Sequence, residues 1–520
     1  MRTIKCLLVL VLVFGTSCED FLEENTDGLL SSSSLFGSNS ESEPVLFGLY
    51  GQFSSGDMYS GSVTCLDLGT DITTRNRNGT TVHAPHTNYL LSATNLGASQ
   101  GIYTRMYRII ANANFLIANV EDNPNVTDET ILGEALFLRA LAYYHLTHLW
   151  GDIVYFRDDL TIDERRVLSQ TPKETIFEDM VADLQRAENL MSADLPSGNR
   201  EGRANRWAAK TLRMKYHLTQ NDWDGVRQAG EEILTSSPHM LADSYDDLWY
   251  ISNGFSDTDH PEIIFKSQRI SGEEPGGTGG NIGDMHVPRL GDQPGDGNSE
   301  IIDGMTLRET LTANGELFNG FGINLGLPSF VESIAADDTR QATIATDTYR
   351  GFKLGVRGDE LDISDPNSTR YLSKFWGLLE DANPRGGRGV DFPVFRLADV
   401  KLMLAEAYNN LGLFAQASEQ INDIQIRAYE PDRPVFSSSD QSLIAETIFN
   451  ERRWELAGEG HRRYDLNRWG RLIEEVLAQT YINELFNPTG NIGNEHLLWP
   501  FPIDDFEFLE PGQIEQNPGY

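Results

Sequence analysis

Two stretches of the chain, about 200 residues apart, carry the same helical design, and that repetition limits the fold more than any other feature. In the first, Ala208 and Ala209 lead through Tyr216 to Trp223 and Val226; in the second, Ala405 and Ala407 lead through Tyr408 to Phe414 and Ala417. Each has an Asn or Gly turn between its halves. Small residues on one helix let a second helix approach closely, and the aromatic residue that opens the second helix fills the gap at the bend. That is the packing logic of a tetratricopeptide-type helix pair. The spacing slips by one residue between copies, so the repeats are degenerate, and a generic antiparallel bundle is the plainer alternative. Apolar residues at helical spacing also mark 101–120 (Ile102, Met106, Ile109, Ile110, Ala113, Leu116) and 136–150 (Leu138, Leu141, Ala142, Leu149). Helices are further expected over 175–191, over 206–234 with a break at Asn221 and Asp222, from Val394 through Leu411, and over 440–456 and 464–477. The fold class expected is mostly α, built from helix-pair repeats with a loop-rich insertion carrying short strands.

The three cysteines are Cys6, Cys18 and Cys65. Arg2 and Lys5 precede the apolar run Leu7 to Phe14, and Gly15, Thr16 and Ser17 supply small and polar residues before Cys18. Eight apolar residues are too few to span a bilayer as a helix, so 1–17 reads as an export signal. Its end at a cysteine resembles a bacterial lipoprotein signal, with Cys18 as the lipidated residue. Cys65 is then left without an intrachain partner, and the fold must rest on its core. With 41 basic against 78 acidic residues, a formal net charge of -37, the molecule repels a nucleic-acid backbone. No nucleic-acid partner is expected.

Residues 18–44 are acidic and Ser-rich and read as a tether, 45–251 as a helical repeat region, and 394–520 as a second helical region with a Pro-rich tail. Between 252 and 393 helical periodicity fades. Glycines cluster at 272, 276, 277, 279, 280 and 283 with no Lys-Ser/Thr ending, so no phosphate-binding loop is present. An insertion of about 140 loop-rich residues carries ordering entropy that function usually justifies. His145 and His148 sit three apart among apolar neighbours and read as a packed or surface pair, and His83 and His86 as exposed loop residues. Glu455 and Glu459 share a helical face, which could suggest a glycosidase. However, Arg452, Arg453, Arg462, Arg463 and Arg468 crowd them, which predicts an ion-pair network clamping two helices.

Several motifs recur in order along the chain: Asn114; Leu138, Arg139 and Ala140 with Tyr143 and Tyr144; Trp150, Gly151 and Asp152; Phe395 to Val400; Glu451, Glu455, Glu459, Gly460, Arg462, Asp465, Leu466 and Arg468; and the ending Gln516 to Tyr520. Together they resemble the SusD/RagB family over essentially the whole length. Acidic Glu19, Asp20, Glu23 and Glu24 resemble a surface-export signal of such lipoproteins. The resemblance implies a cell-surface lipoprotein of the outer membrane. Such a protein caps a SusC-like TonB-dependent transporter and helps deliver oligosaccharides to it. It also implies that Arg139, Glu459, Arg462 and Asp465 are structural; no catalytic residue, metal ligand or cofactor is assigned from the sequence. A glycoside hydrolase on a helical scaffold and a repeat-type interaction scaffold are the rival readings. Sugar recognition needs aromatic faces beside hydrogen-bonding groups, and the loops around 67–90 with 270–390 of the insertion offer aromatics expected to be exposed (Tyr89, Phe318, Phe321, Trp376) beside the polar Asp71, Arg75, Asn319 and Asn324. The repeat helices are expected to serve the protein partner and the internal scaffold, and to bind no sugar themselves.

Overall fold

The computed structural model describes residues 35–520 apart from 55–57, 60, 76–81, 250–259, 269–280, 289–298, 300, 315–319, 345, 347, 350–351, 355–369, 377–390, 430–433, 480–486 and 489. The export signal, Cys6 and Cys18 lie outside the described residues, as does most of the glycine cluster.

The helices that build the frame are α1 (Asn39–Ser54), α2 (Ser99–Val120), α3 (Glu129–Trp150), α4 (Lys173–Leu190), α5 (Arg206–Thr219), α6 (Trp223–Ser236), α7 (Leu397–Asn410), α8 (Phe414–Ala428), α9 (Gln441–Glu455) and α10 (Arg462–Arg468). Their starts are written locally. Asp128 accepts the Thr130 amide, Asn205 those of Trp207 and Ala208, and Asp440 those of Ser442 and Leu443. Each repeat pair turns through a left-handed residue, Asn221 (φ 55°) between α5 and α6 and Gly412 (φ 74°) between α7 and α8. These are residue types that tolerate that conformation.

From α2 to α8 each helix packs on the next, so the two pairs picked out by sequence are spatial neighbours across the α6–α7 contact. The small residues explain the closeness. Ala208, Ala209, Ala405 and Ala407 are wholly buried. A Cβ added at Gly230 of α6 would lie 3.0 Å from Met214 Cε and 3.1 Å from Leu404 Cδ1. One hydrophobic core runs from Phe36 to Ile514, and among the described residues no helix is long and apolar enough to cross a membrane.

Short strands fasten the insertion to this frame: β1 (Thr73–Arg75), β2 (Ile263–Ser267), β3 (Asn324–Gly326), β4 (Arg370–Tyr371) and β5 (Phe392–Arg396). β3 pairs antiparallel with both β1 and β4, with Thr73 opposite Gly326 and Arg75 opposite Asn324. β2 pairs antiparallel with β5. Residues 392–396 are therefore strand, where helix was expected from Val394. The pairing with β2, more than 120 residues away, overrides the local pattern. Helix α1 likewise starts inside the stretch read as tether. Its first residue, Asn39, accepts the amides of Thr127 and Asp128 at 2.8 and 3.1 Å, a long-range cap that no local pattern announces.

Candidate functional site

The carboxylates that suggested a hydrolase are sealed inside the frame. Gly458 and Gly460 (φ 82° and 76°) turn the chain between α9 and α10, so that Glu455 and Glu459 converge on one buried cluster. Arg396, fully buried at the end of β5, donates to Glu262 (2.6 Å), Glu455 (3.0 Å) and Glu459 (2.7 Å). Arg427 bridges Glu262 and Glu455, and Arg340 bridges Asp338, Glu451 and Glu455. Lys374 Nζ donates to Glu459 at 2.9 Å and lies over the Trp249 ring. Burial alone would raise the Glu455 carboxyl, but Arg427, Arg396 and Arg340 overcome it and hold it well below the usual carboxylate range. Glu459 is lowered in the same way, burial being outweighed by Arg396 and Lys374. A general acid for glycoside hydrolysis needs the opposite shift.

A second cluster ties Lys215, Asp399, Arg452, Asp465, Arg468 and Glu406 across α5, α7, α9 and α10. Arg139 pairs with Asp183 at 2.6 Å and donates to Asn114. The expected ion-pair network is present, with more helices in it than two. Arg139, Glu459, Arg462 and Asp465 all spend their charge internally.

The two regions expected to form the ligand face are brought together, because β1 from the first lies in one sheet with β3 and β4 from the second. The residues named there fare differently. Asp71 is fully buried and held by Arg462 (2.8 and 2.7 Å) and Arg453 (3.0 Å). Those two cations outweigh its burial and keep its carboxyl low. Tyr89 was expected to be exposed, but its ring is buried against His496 and its hydroxyl donates to the Gly69 carbonyl at 2.7 Å. Arg75 is buried and donates to Thr87. Trp376, also expected at the surface, is 1% exposed and its indole donates to the His286 carbonyl. Asn324 Nδ2 donates to His286 Nε2 at 3.0 Å, while His286 Nδ1 donates to the Ile282 carbonyl. Phe321, beside β3, is 39% exposed. Phe318 and Asn319 lie outside the described residues.

The histidines also settle inside. His145 bridges the hydroxyls of Tyr59 and Tyr464, and His148 contacts Thr219 and the Tyr144 carbonyl. His83 and His86 were expected to be exposed. They are buried instead, with His86 edge-on to Trp499. Burial pushes the Cys65 thiol up to about 12, so it stays protonated.

Sequence reasoning missed one concave feature. A cleft of about 470 Å3 opens between α2, the segment Val154 to Phe156, and the short helix Ile503–Phe508. Tyr103, Tyr107, Phe156 and Phe508 give it aromatic walls, and Thr104, Asn112 and Asp505 its polar groups. Tyr103 donates to Asp505, whose carboxyl burial raises to about 6. The available signal was Tyr103 and Tyr107 one helical turn apart, beside the apolar residues that marked the helix.

Comparison with known proteins bears on the whole chain. The sequence profile of the SusD family matches residues 339–520, and a profile described as "Starch-binding associating with outer membrane" matches 20–218. SusD-like protein P25 of Formosa agariphila is 33% identical over the full length of both chains. The starch-binding protein SusD of Bacteroides thetaiotaomicron is 24% identical, over 81% of this chain and 78% of its own. Among solved structures, a laminarin-binding SusD-like protein superposes with a TM-score of 0.74 at 24% identity, covering 93% of this chain and all of that one. Surface glycan-binding protein A from Bacteroides thetaiotaomicron, in complex with laminarihexaose, gives 0.73 at 17% identity, covering 92% and 99%. Sequence matched end to end by a relative, profiles on both flanks and the same helical frame lead to one assignment: the chain belongs to the SusD/RagB family.

Proposed function

We propose that this protein is a lipid-anchored, cell-surface subunit that binds glycans, captures oligosaccharides and hands them to a SusC-like TonB-dependent outer-membrane transporter, without cleaving them. The observation that carries the reading is full-length membership of a family whose named relatives include a starch-binding protein. The β1–β3–β4 sheet supports the placement of the ligand face, since it fixes two long irregular segments side by side on a rigid frame. Within that face Asp71, Tyr89, Asn324 and Trp376 act as supports, locked to Arg462, Gly69 and His286. Phe321 offers the exposed ring on which a pyranose can stack. The hydrolase alternative lacks an acid of suitable pKa at Glu455 and Glu459.

Native affinity electrophoresis against a polysaccharide panel tests the reading. At least one neutral glucan should retard the protein, and Phe321→Ala should weaken that retardation about tenfold, the order of one lost base-type or sugar-type stacking contact. Release of reducing ends by the purified protein, in proportion to its concentration, would overturn the non-enzymatic reading.

Anchoring is separable from binding. Cys18→Ala is expected to move the protein from the outer-membrane fraction to the soluble one while glycan retention in the gel stays unchanged. Loss of retention in that variant would place the tether in the binding site.

A further inference from the structure

We infer that the cleft beside α2 is a second sugar subsite, which takes the end of a neutral oligosaccharide independently of the face around β3. The inference rests on the glycan-binding reading above and adds a place on the molecule that the reading does not use. The cleft shares no lining residue with β1, β3 or β4.

Three observations converge. The volume, about 470 Å3, lies in the range of small-molecule sites. The walls are flat aromatic surface. Tyr107 and Phe156 lie nearly parallel, 9° apart with centroids at 6.4 Å, and Phe508 presents a ring that is 40% exposed at the mouth. Sugar C–H faces cover such surfaces.

Three polar groups of the lining keep bonding capacity. Asp505 uses Oδ2 to accept from Tyr103, and Oδ1 accepts nothing from the described residues. The side chains of Asn112 and Thr104 make no hydrogen bond among the described residues either. An acceptor, an amide and a hydroxyl interleaved with aromatic rings match the alternating hydroxyl and C–H surface of a pyranose. The lining also holds Arg108 and Arg165, the latter with its guanidinium over the Phe156 ring, so charge does not select the ligand, and the neutral chain is argued from the aromatic walls and the uncharged Asn112 and Thr104. This departs from the expectation that the repeat helices bind no sugar, since Tyr103, Thr104, Tyr107 and Asn112 all belong to α2.

Two subsites on one rigid chain would hold a long glycan at two points. The second contact then becomes intramolecular, and a polymer is retained more strongly than either site alone allows.

The test uses the lipid-free mature chain carrying Cys18→Ala, titrated calorimetrically with laminarihexaose, maltohexaose, cellohexaose and mannohexaose. A hexaose that binds should occupy two sites per chain. Phe508→Ala and, separately, the surface change Asn112→Ala should remove one site or weaken it at least tenfold, and leave the Phe321-sensitive site intact. Asp505→Asn keeps an oxygen for Tyr103 and should weaken the same site, which covers the case in which Phe508→Ala fails to fold. If a hexaose binds and all three variants leave its stoichiometry and affinity unchanged, the second subsite is refuted while the glycan-binding reading stands. If none of the four binds, both fall. Loss of barrel co-purification in Phe508→Ala, with sugar binding unaltered, would show that the cleft receives a protein segment and would overturn the inference as well.

Discussion

Arg396→Ala is expected to destabilise the protein by about 3–5 kcal/mol, the usual cost of removing one partner from a buried ion pair. Its guanidinium meets Glu262, Glu455 and Glu459, all buried, and also donates to the Glu455 carbonyl. Alanine would leave those carboxylates to Lys374, Arg340 and Arg427, each of which is already engaged. For a typical domain stability of about 5–15 kcal/mol, that loss is a large fraction of the total. The comparison is Arg227→Ala on the exposed i,i+4 pair with Glu231, where less than about 1 kcal/mol is expected. Urea unfolding of both variants decides the matter. Equal shifts would mean that the buried network contributes nothing beyond a surface pair.

Acid should unfold the protein earlier than carboxylate protonation alone would. Burial holds His86, His145 and His148 near about 3, and His83, His286 and His461 near about 4. Their unfolded value is about 6.5. A histidine depressed in the folded state contributes stability that is complete above about 6.5 and lost as pH falls, at about 1.4 kcal/mol per pH unit each. Four buried carboxyls oppose this. Burial raises Asp67 to about 7, Asp505 to about 6, and Glu134 and Glu451 above their ordinary range, so their contributions grow on acidification. His217, His239, His260 and His496 are lowered by burial as well, so the histidines outnumber the opposing carboxyls and stability falls as pH drops below about 6.5. A urea midpoint that stays flat from pH 7 to 5 would show that these imidazoles are not buried neutral.

The frame was legible because its signals are local. Helix caps at Asp128, Asn205 and Asp440, left-handed turns at Asn221 and Gly412, and buried alanines on the facing sides all fall within a few residues of the elements they specify. Arginine crowding around Glu455 and Glu459 also announced a network. The binding face was read less well, for a physical reason. In segments without periodicity, exposure is set by what the chain folds back upon, and Tyr89 and Trp376 met His496 and the His286 carbonyl, not solvent. Asp71 looked like a free acceptor until Arg462, 391 residues later, closed on it. The α2 cleft was missed because Tyr103 and Tyr107 keep helical spacing like their core neighbours, and only the docking of Ile503–Phe508 creates the hollow.

The α6–α7 contact also sets an order of assembly. The buried stripe of α6, comprising Val226, Ala229, Gly230 and Ile233, is covered on one side by α5, but its other side waits for α7, about 170 residues later in the chain. A ribosome making roughly 5–20 residues per second needs on the order of ten seconds or more to supply that cover. During synthesis and export the N-terminal helices therefore present an unfinished apolar edge, so the half-made protein depends on escorts that the finished one can do without.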